Sequence, residues 1–206
     1  MRVSRDRRAA LVAFVQAVAR PGDRVFDVGA DHGHVAHAVG GIATERAPGR
    51  SGRSDVPWVL ADGLRGLRPA DVAIVAGMGF RTIAGILERG PTPRHAVLHA
   101  PDDPQGLRLW LGANGFRIED ETLATEGPRF AEVIRVVPGV EPHHGEALAL
   151  GPLLCRRGHP LLIPHLERLR HRLAALASAT EGRQPDKHAA CLRRLDAIDK
   201  VLAAHR

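Results

Sequence analysis

Four short apolar runs, Arg24 to Val28, Val56 to Leu60, Asp71 to Ala76 and His95 to His99, constrain this chain more than any other feature. Helical patterns follow the later runs, at Phe80 to Glu88 and at Pro104 to Asn114, the second closed by Gly115. A strand that is apolar along its whole length is covered on both faces, and regular alternation with helices makes such strands parallel. Ile42 to Glu45 supplies a further strand. Phe116 to Leu123 and Ala131 to Val137, separated only by Ala124 to Phe130, predict a terminal antiparallel hairpin. The expected body is therefore an α/β sheet of five parallel strands closed by an antiparallel pair.

The tail differs in kind. Leu162, Leu166, Leu169, Leu173 and Leu176 step by 4, 3, 4 and 3, and Cys191, Leu195, Ile198 and Leu202 repeat the pattern beyond a breaker loop at Glu181 to Asp186. Two heptad seams joined by a short loop predict an antiparallel helical (coiled-coil) hairpin. We accordingly divide the chain into a domain at 1–150 and a helical extension at 151–206. A helix from about Ser4 to Ala19, stopped by Pro21-Gly22-Asp23, opens the chain. Low complexity is confined to Ala47 to Asp55.

Charge narrows the partners. Residues 1–150 hold 18 Lys+Arg against 18 Asp+Glu, while residues 151–206 hold 11 against 5 and contribute the whole net charge of +6. Arg2, Arg5, Arg7 and Arg8 form a second basic cluster. Positive charge gathered at both ends favours a polyanion such as RNA. No stretch of about 18 apolar residues exists to span a membrane, and the basic N-terminus lacks a small-residue cleavage site. A cytoplasmic protein without an obligate protein partner is expected. Cys155 and Cys191 form neither a disulfide framework nor a metal spacing. His32, His34 and His37 lack a second ligand group, so no metal is expected, and no Gly-x-Ser-x-Gly elbow offers a covalent nucleophile.

Candidate chemistry begins in the first strand and its turn, Val25 to Gly33, VFDVGADHG. In doubly wound sheets ligands sit at the carboxyl ends of the strands. A pyrophosphate-binding turn needs G-x-G-x-x-G, and this one reads G-A-D-H-G with two acids, which argues against a nicotinamide dinucleotide. Asp27 and Asp31 suit a cationic group, such as the ammonium and sulfonium of an adenosyl-amino acid cofactor. Glu45, ending the second strand, can accept from both ribose hydroxyls. Asp62, in Ala61-Asp62-Gly63-Leu64, can accept from an adenine amino group, and the small residues of Ala76-Gly77-Met78-Gly79 allow close approach. Each acid taken alone also reads as a turn former or helix cap.

These motifs resemble the bacterial tRNA (adenine-22-N1)-methyltransferase family, which belongs to the Rossmann-like class I methyltransferases. The resemblance runs through DVGADHG, ADGL, VAGMG, LRLWLGANGF and LALGPLL, and extends to the basic helical hairpin. It implies transfer of a methyl group from S-adenosyl-L-methionine to N1 of an adenine in tRNA. Asp27, Gly29, Asp31, His32, Glu45, Asp62, Gly63, Leu64, Gly77 and Met78 would then hold the cofactor. Arg5, Arg7, Arg8, Pro101, Asp102, Phe130, Arg156 and Arg157 would meet the RNA. Asp31 would stabilise the cationic methylated base or accept its surplus N6 proton; a purely cofactor-orienting role is the alternative.

Three departures from the family pattern carry expectations. The stretch from Arg46 to about Pro57 is short and rich in Gly, Ser, Pro and Arg, so the crossover helix that would cover the adenosine is expected to be missing. The family's QPN-like segment reads Ala100-Pro101-Asp102, and Phe130 stands for a tyrosine. They leave open a relative that binds RNA or cofactor without transferring a methyl group.

Overall fold

The computed structural model describes residues 6–47 and 54–205. Its elements are α1 (Arg7–Gln16), β1 (Val25–Val28), α2 (His34–Val39), β2 (Ile42–Glu45), β3 (Trp58–Leu60), β4 (Val72–Ala76), α3 (Phe80–Arg89), β5 (His95–His99), α4 (Pro104–Ala113), β6 (Phe116–Glu126), β7 (Arg129–Pro138), α5 (Gly145–Ala149), α6 (Pro152–Arg157), α7 (Leu162–Thr180) and α8 (Pro185–Ala204). Seven strands form one sheet in the order β3-β2-β1-β4-β5-β7-β6. The first five are mutually parallel, and β7 runs antiparallel to both β5 and β6. Strand order reverses between β1 and β4, so the carboxyl ends of these two strands open a crevice.

The apolar runs explain this layering. Val72 to Val75 are buried on both faces: Ala73 and Val75 face one core with Leu98, Leu107 and Ile134, while Val72 and Ile74 face another with Leu11, Val15 and Val97. Period-two alternation thus feeds two cores from one strand. α1 covers the second core and begins later than the sequence suggests, at Arg7, because the Asp6 side chain accepts from the Arg8 N–H at 2.9 Å and caps it. The closing hairpin is longer than expected. β6 and β7 pair out to Glu126 and Arg129, so the turn is only Gly127-Pro128. β3 starts at Trp58, since Val56 turns in to pack with Ala36 and Ala43.

The expectation of a missing crossover helix between β2 and β3 falls largely on residues 48–53, which lie outside the described residues. The C-terminal hairpin forms as its seams require. Leu162, Leu166, Leu169, Ile198 and Leu202 are buried together with Leu123 of β6 and with Leu150 and Leu154, so the hairpin base shares an apolar cluster with the sheet. Among the described residues no helix is long and apolar enough to cross a membrane.

Candidate active site

Four strand ends meet around the glycine turn. Gly29 has φ +66°, and a Cβ there would collide with the Met78 side chain, which crosses from β4 over the turn. The Gly29 N–H donates to the Thr44 carbonyl at 2.9 Å and the Asp31 N–H to Glu45 Oε1 at 2.9 Å, which ties the turn to β2. Asp31 is the one non-glycine residue with positive φ, +51°, among those described. Its carboxylate lies in solvent 3.4 Å from the His32 imidazole, itself exposed. Gly77, φ +78°, sits exposed at the end of β4, and Asp62 is exposed after β3.

The two acids of the opening motif part company here. Asp27 is buried, and its Oδ2 accepts the Ala36 N–H at 3.0 Å, joining β1 to α2 beneath the turn. Burial pushes its carboxyl up to about 6, against the pull of the Ala36 hydrogen bond. The open acceptors of the rim are therefore Asp31, Glu45 and Asp62. Because the fold raises this pKa, protonation favours the folded state. The penalty for the ionised carboxyl is absent below about pH 4 and is fully present above about pH 6. Asp27→Asn keeps an acceptor for Ala36 and is expected to gain on the order of 2–3 kcal/mol at pH 7 and nothing at pH 3.5; urea unfolding at the two pH values measures the difference.

Gly63 and Leu64 turn their side-chain positions away from the rim, which leaves only their backbone to meet a cofactor. Both are buried, with Gly63 against Ile86 and Leu64 against Gly90 of the α3 terminus, so their side-chain positions face the core and Asp62 alone reaches the rim. Asp102 is exposed after β5, and its Oδ1 accepts the Phe80 N–H at 2.9 Å. It thereby caps α3, whose own N-cap, Gly79, has no side chain to do so.

The expected RNA contacts divide. Arg7 reaches the rim: its guanidinium is 3.3 Å from Glu126, and its Nη1 lies 3.4 Å from where a Gly77 Cβ would stand. Arg8 is exposed on the same helix, and Arg5 lies outside the described residues. Arg156 is exposed, but Arg157 is bound to Asp120 at 2.5 Å, level with the middle of the sheet rather than its carboxyl end. That pairing sets Arg157 apart from the rim.

Sequence reasoning missed a cavity of about 440 Å³ between the sheet end and α7, lined by Pro101 and Phe130 but also by Arg129, His165, Arg168 and Arg172. His165, Arg168 and Arg172 recur at steps of 3 and 4, so their common face was available from helical spacing. Beneath the cavity Arg108, wholly buried, binds Glu121 at 2.6 Å and Glu132 at 2.5 Å, and His165 reaches Glu132 at 3.3 Å. Burial raises the Glu132 pKa, but Arg108 and then His165 outweigh it and hold the carboxyl well below the usual range. Beside them burial lowers the pKa of His99, whose Nδ1 lies against the Glu132 carbonyl at 3.0 Å. Among the described residues no group of three or more His, Cys, Asp or Glu side chains gathers to hold a metal.

A sheet of this order, with a glycine turn after β1 and acids following β2 and β3, defines a class I methyltransferase. The family model for tRNA (adenine(22)-N(1))-methyltransferase matches residues 50–200, well over half of the chain. The chain belongs to the tRNA (adenine(22)-N(1))-methyltransferase family.

Solved structures agree on the fold along the whole length. A candidate tRNA (m1A22) methyltransferase of Streptococcus pneumoniae, in complex with S-adenosyl-L-methionine, is 23% identical over 98% of this chain and 100% of its own, with a TM-score of 0.79. The B. subtilis m1A22 tRNA methyltransferase TrmK is 18% identical over 98% and 99%, with a TM-score of 0.74. M. capricolum TrmK, in complex with S-adenosyl-homocysteine, is 16% identical over 95% and 97%, with a TM-score of 0.75. A search of curated proteins by sequence found no match.

Proposed function

We propose that this chain methylates N1 of an adenine in tRNA, using S-adenosyl-L-methionine. One observation carries the reading: three carboxylates, exposed Asp31 and Asp62 and half-buried Glu45, follow the ends of β1, β3 and β2 at the sheet edge where strand order reverses, beside a cavity lined by arginines. When bound, the cofactor supplies an electrophilic methyl group on a cationic sulfur, and that carbon–sulfur bond breaks as the bond to adenine N1 forms. The residues present fit such a group. Asp31 and Asp62 offer carboxylates to cationic and N–H groups, while Glu45 keeps Oε2 for the ribose hydroxyls after Oε1 accepts from Asp31. Gly77 lets the ligand approach backbone, while the space left by the missing Cβ of Gly29 is taken by Met78, which closes one side.

On the substrate side, Asp102 Oδ2 remains an acceptor for an adenine amino group. Asp31 faces the positive charge that forms on the methylated base. Residues 151–206, with Arg7 and Arg8, hold the RNA backbone through charge. Positioning is the main contribution, since the displacement needs N1 aligned with the methyl group. The test is incubation of the full chain with unmodified tRNA and methyl-labelled cofactor, followed by digestion. The expected product is 1-methyladenosine at a single position. Retention of tRNA with no methyl-adenine would instead favour a binding protein that has lost transfer.

A further inference from the structure

We propose that the cavity between the sheet end and α7 is a seat for one phosphate-bearing nucleotide of the substrate RNA, next to the nucleotide that is methylated. Arg129 and Arg172 hold its phosphate, and Phe130 supports its base. The inference rests on the RNA-methylating reading and adds which chemical groups the hairpin recognises.

Size gives the first argument. At about 440 Å³ the cavity lies within the range of about 300–1,000 Å³ usual for small-molecule sites, more than a lone phosphate needs. Charge gives the second. Arg129, Arg168 and Arg172 line it against a single carboxylate, Glu132, already balanced by Arg108 at 2.5 Å and His165 at 3.3 Å. An anion is therefore favoured. Arg168 is occupied in donating to the Pro128 carbonyl, which holds α7 over the β6–β7 turn. The side chains of Arg129 and Arg172 belong to exposed residues and have no hydrogen-bond or ion-pair partner among the described residues, so their planar forks are available to phosphate oxygens.

Shape gives the third. Phe130 makes an edge contact with His165, ring centroids 5.6 Å apart at 85°, and lines the same cavity as the two arginines and Pro101. An aromatic ring in one cavity with guanidinium groups suits a base joined to a phosphate, the pairing that single-stranded RNA presents. Location gives the fourth. Pro101 precedes Asp102, the α3 cap that reaches Gly79 at the end of the β4 turn, so the cavity adjoins the methyl-transfer rim without forming part of it.

Adenosine 5′-monophosphate, adenosine and inorganic phosphate, each titrated into the full chain, test the seat directly. The monophosphate is expected to bind best, to weaken with salt, and to be displaced by tRNA. Monophosphate binding that tRNA leaves untouched would mark a site for free nucleotides and overturn the proposal. The double variant Arg129→Gln/Arg172→Gln, at two exposed positions whose folding a melting curve checks, should lose the monophosphate. Its KM for tRNA should rise about tenfold, with the effect on KM rather than kcat, and its salt slope for tRNA binding should fall by about one, since both arginines hold a single phosphate. If the wild type methylates tRNA and the double variant has the same KM and slope, the seat is refuted and the reaction stands. If the wild type transfers no methyl group yet tRNA displaces the monophosphate in an arginine-dependent way, the seat stands and the reaction reading fails.

Discussion

Arg108→Met is expected to destabilise the fold by about 3–5 kcal/mol, because it leaves two carboxylates sealed in the interior without their cation. Arg108 and Glu121 are fully buried and Glu132 nearly so, and the guanidinium binds the two acids at 2.6 and 2.5 Å. Each acid has a second duty: Glu121 Oε2 accepts the Leu153 N–H at 2.9 Å where α6 begins, and Glu132 meets His165 of α7 at 3.3 Å. Loss of one charge therefore loosens the contact of sheet with both C-terminal elements. Methionine fills a similar volume, so the loss reports charge more than a void. Adding Glu121→Gln and Glu132→Met to Arg108→Met removes the stranded charges while keeping an acceptor for Leu153, and much of the stability should return. Urea midpoints across the three proteins measure this, and a single variant as stable as wild type would show the network to be inert.

The same network predicts acid sensitivity. Arg108 and His165 depress the Glu132 carboxyl below its ordinary value of 4.5, so the fold gains stability from it above that pH and loses it progressively as pH falls. Asp27 works in the opposite sense, its pKa being raised, and the two groups separate in a titration of stability against pH.

Pattern made the sheet and hairpin legible in the sequence. Val72 to Val75 read as a buried strand because both faces are covered, and the leucine seam from Leu162 read as a helix because its steps match a helical period. Direction and pairing were not legible. Asp27 and Asp31 look alike in DVGAD, yet one carboxyl lies under the turn and the other in solvent, a difference decided by which side of the β1 end each residue leaves. Leu64 follows an acid at a strand end, but its apolar side chain had a core to enter. Arg157 shows that helical spacing does not reveal an intramolecular partner: Asp120, 37 residues earlier, pairs with it. The cavity escaped notice because its walls come from β5, β7 and α7, and no local pattern joins Pro101, Arg129 and Arg172.

Asp31→Asn is expected to lower kcat for tRNA methylation about 100-fold while leaving cofactor affinity within a few-fold. The substitution isolates charge. Asp31 occupies the left-handed region at φ +51°, which Asn tolerates better than other side chains, and the Asp31 N–H that Glu45 accepts is unchanged. Asp31→Ala would mix backbone strain with lost charge. In the free protein the carboxylate is 70% exposed, so its field is weak until RNA covers the rim and excludes water. It then lies where a base that becomes cationic on methylation gains most from a fixed negative charge, whether by direct attraction or by giving up its N6 proton. Were Asp31 only to orient the cofactor, the loss would appear as a raised KM for the cofactor at nearly constant kcat. Single-turnover rates and cofactor titrations on the same preparation separate the two outcomes, and an Asp31→Asn protein of unchanged kcat would remove this residue from the chemical step.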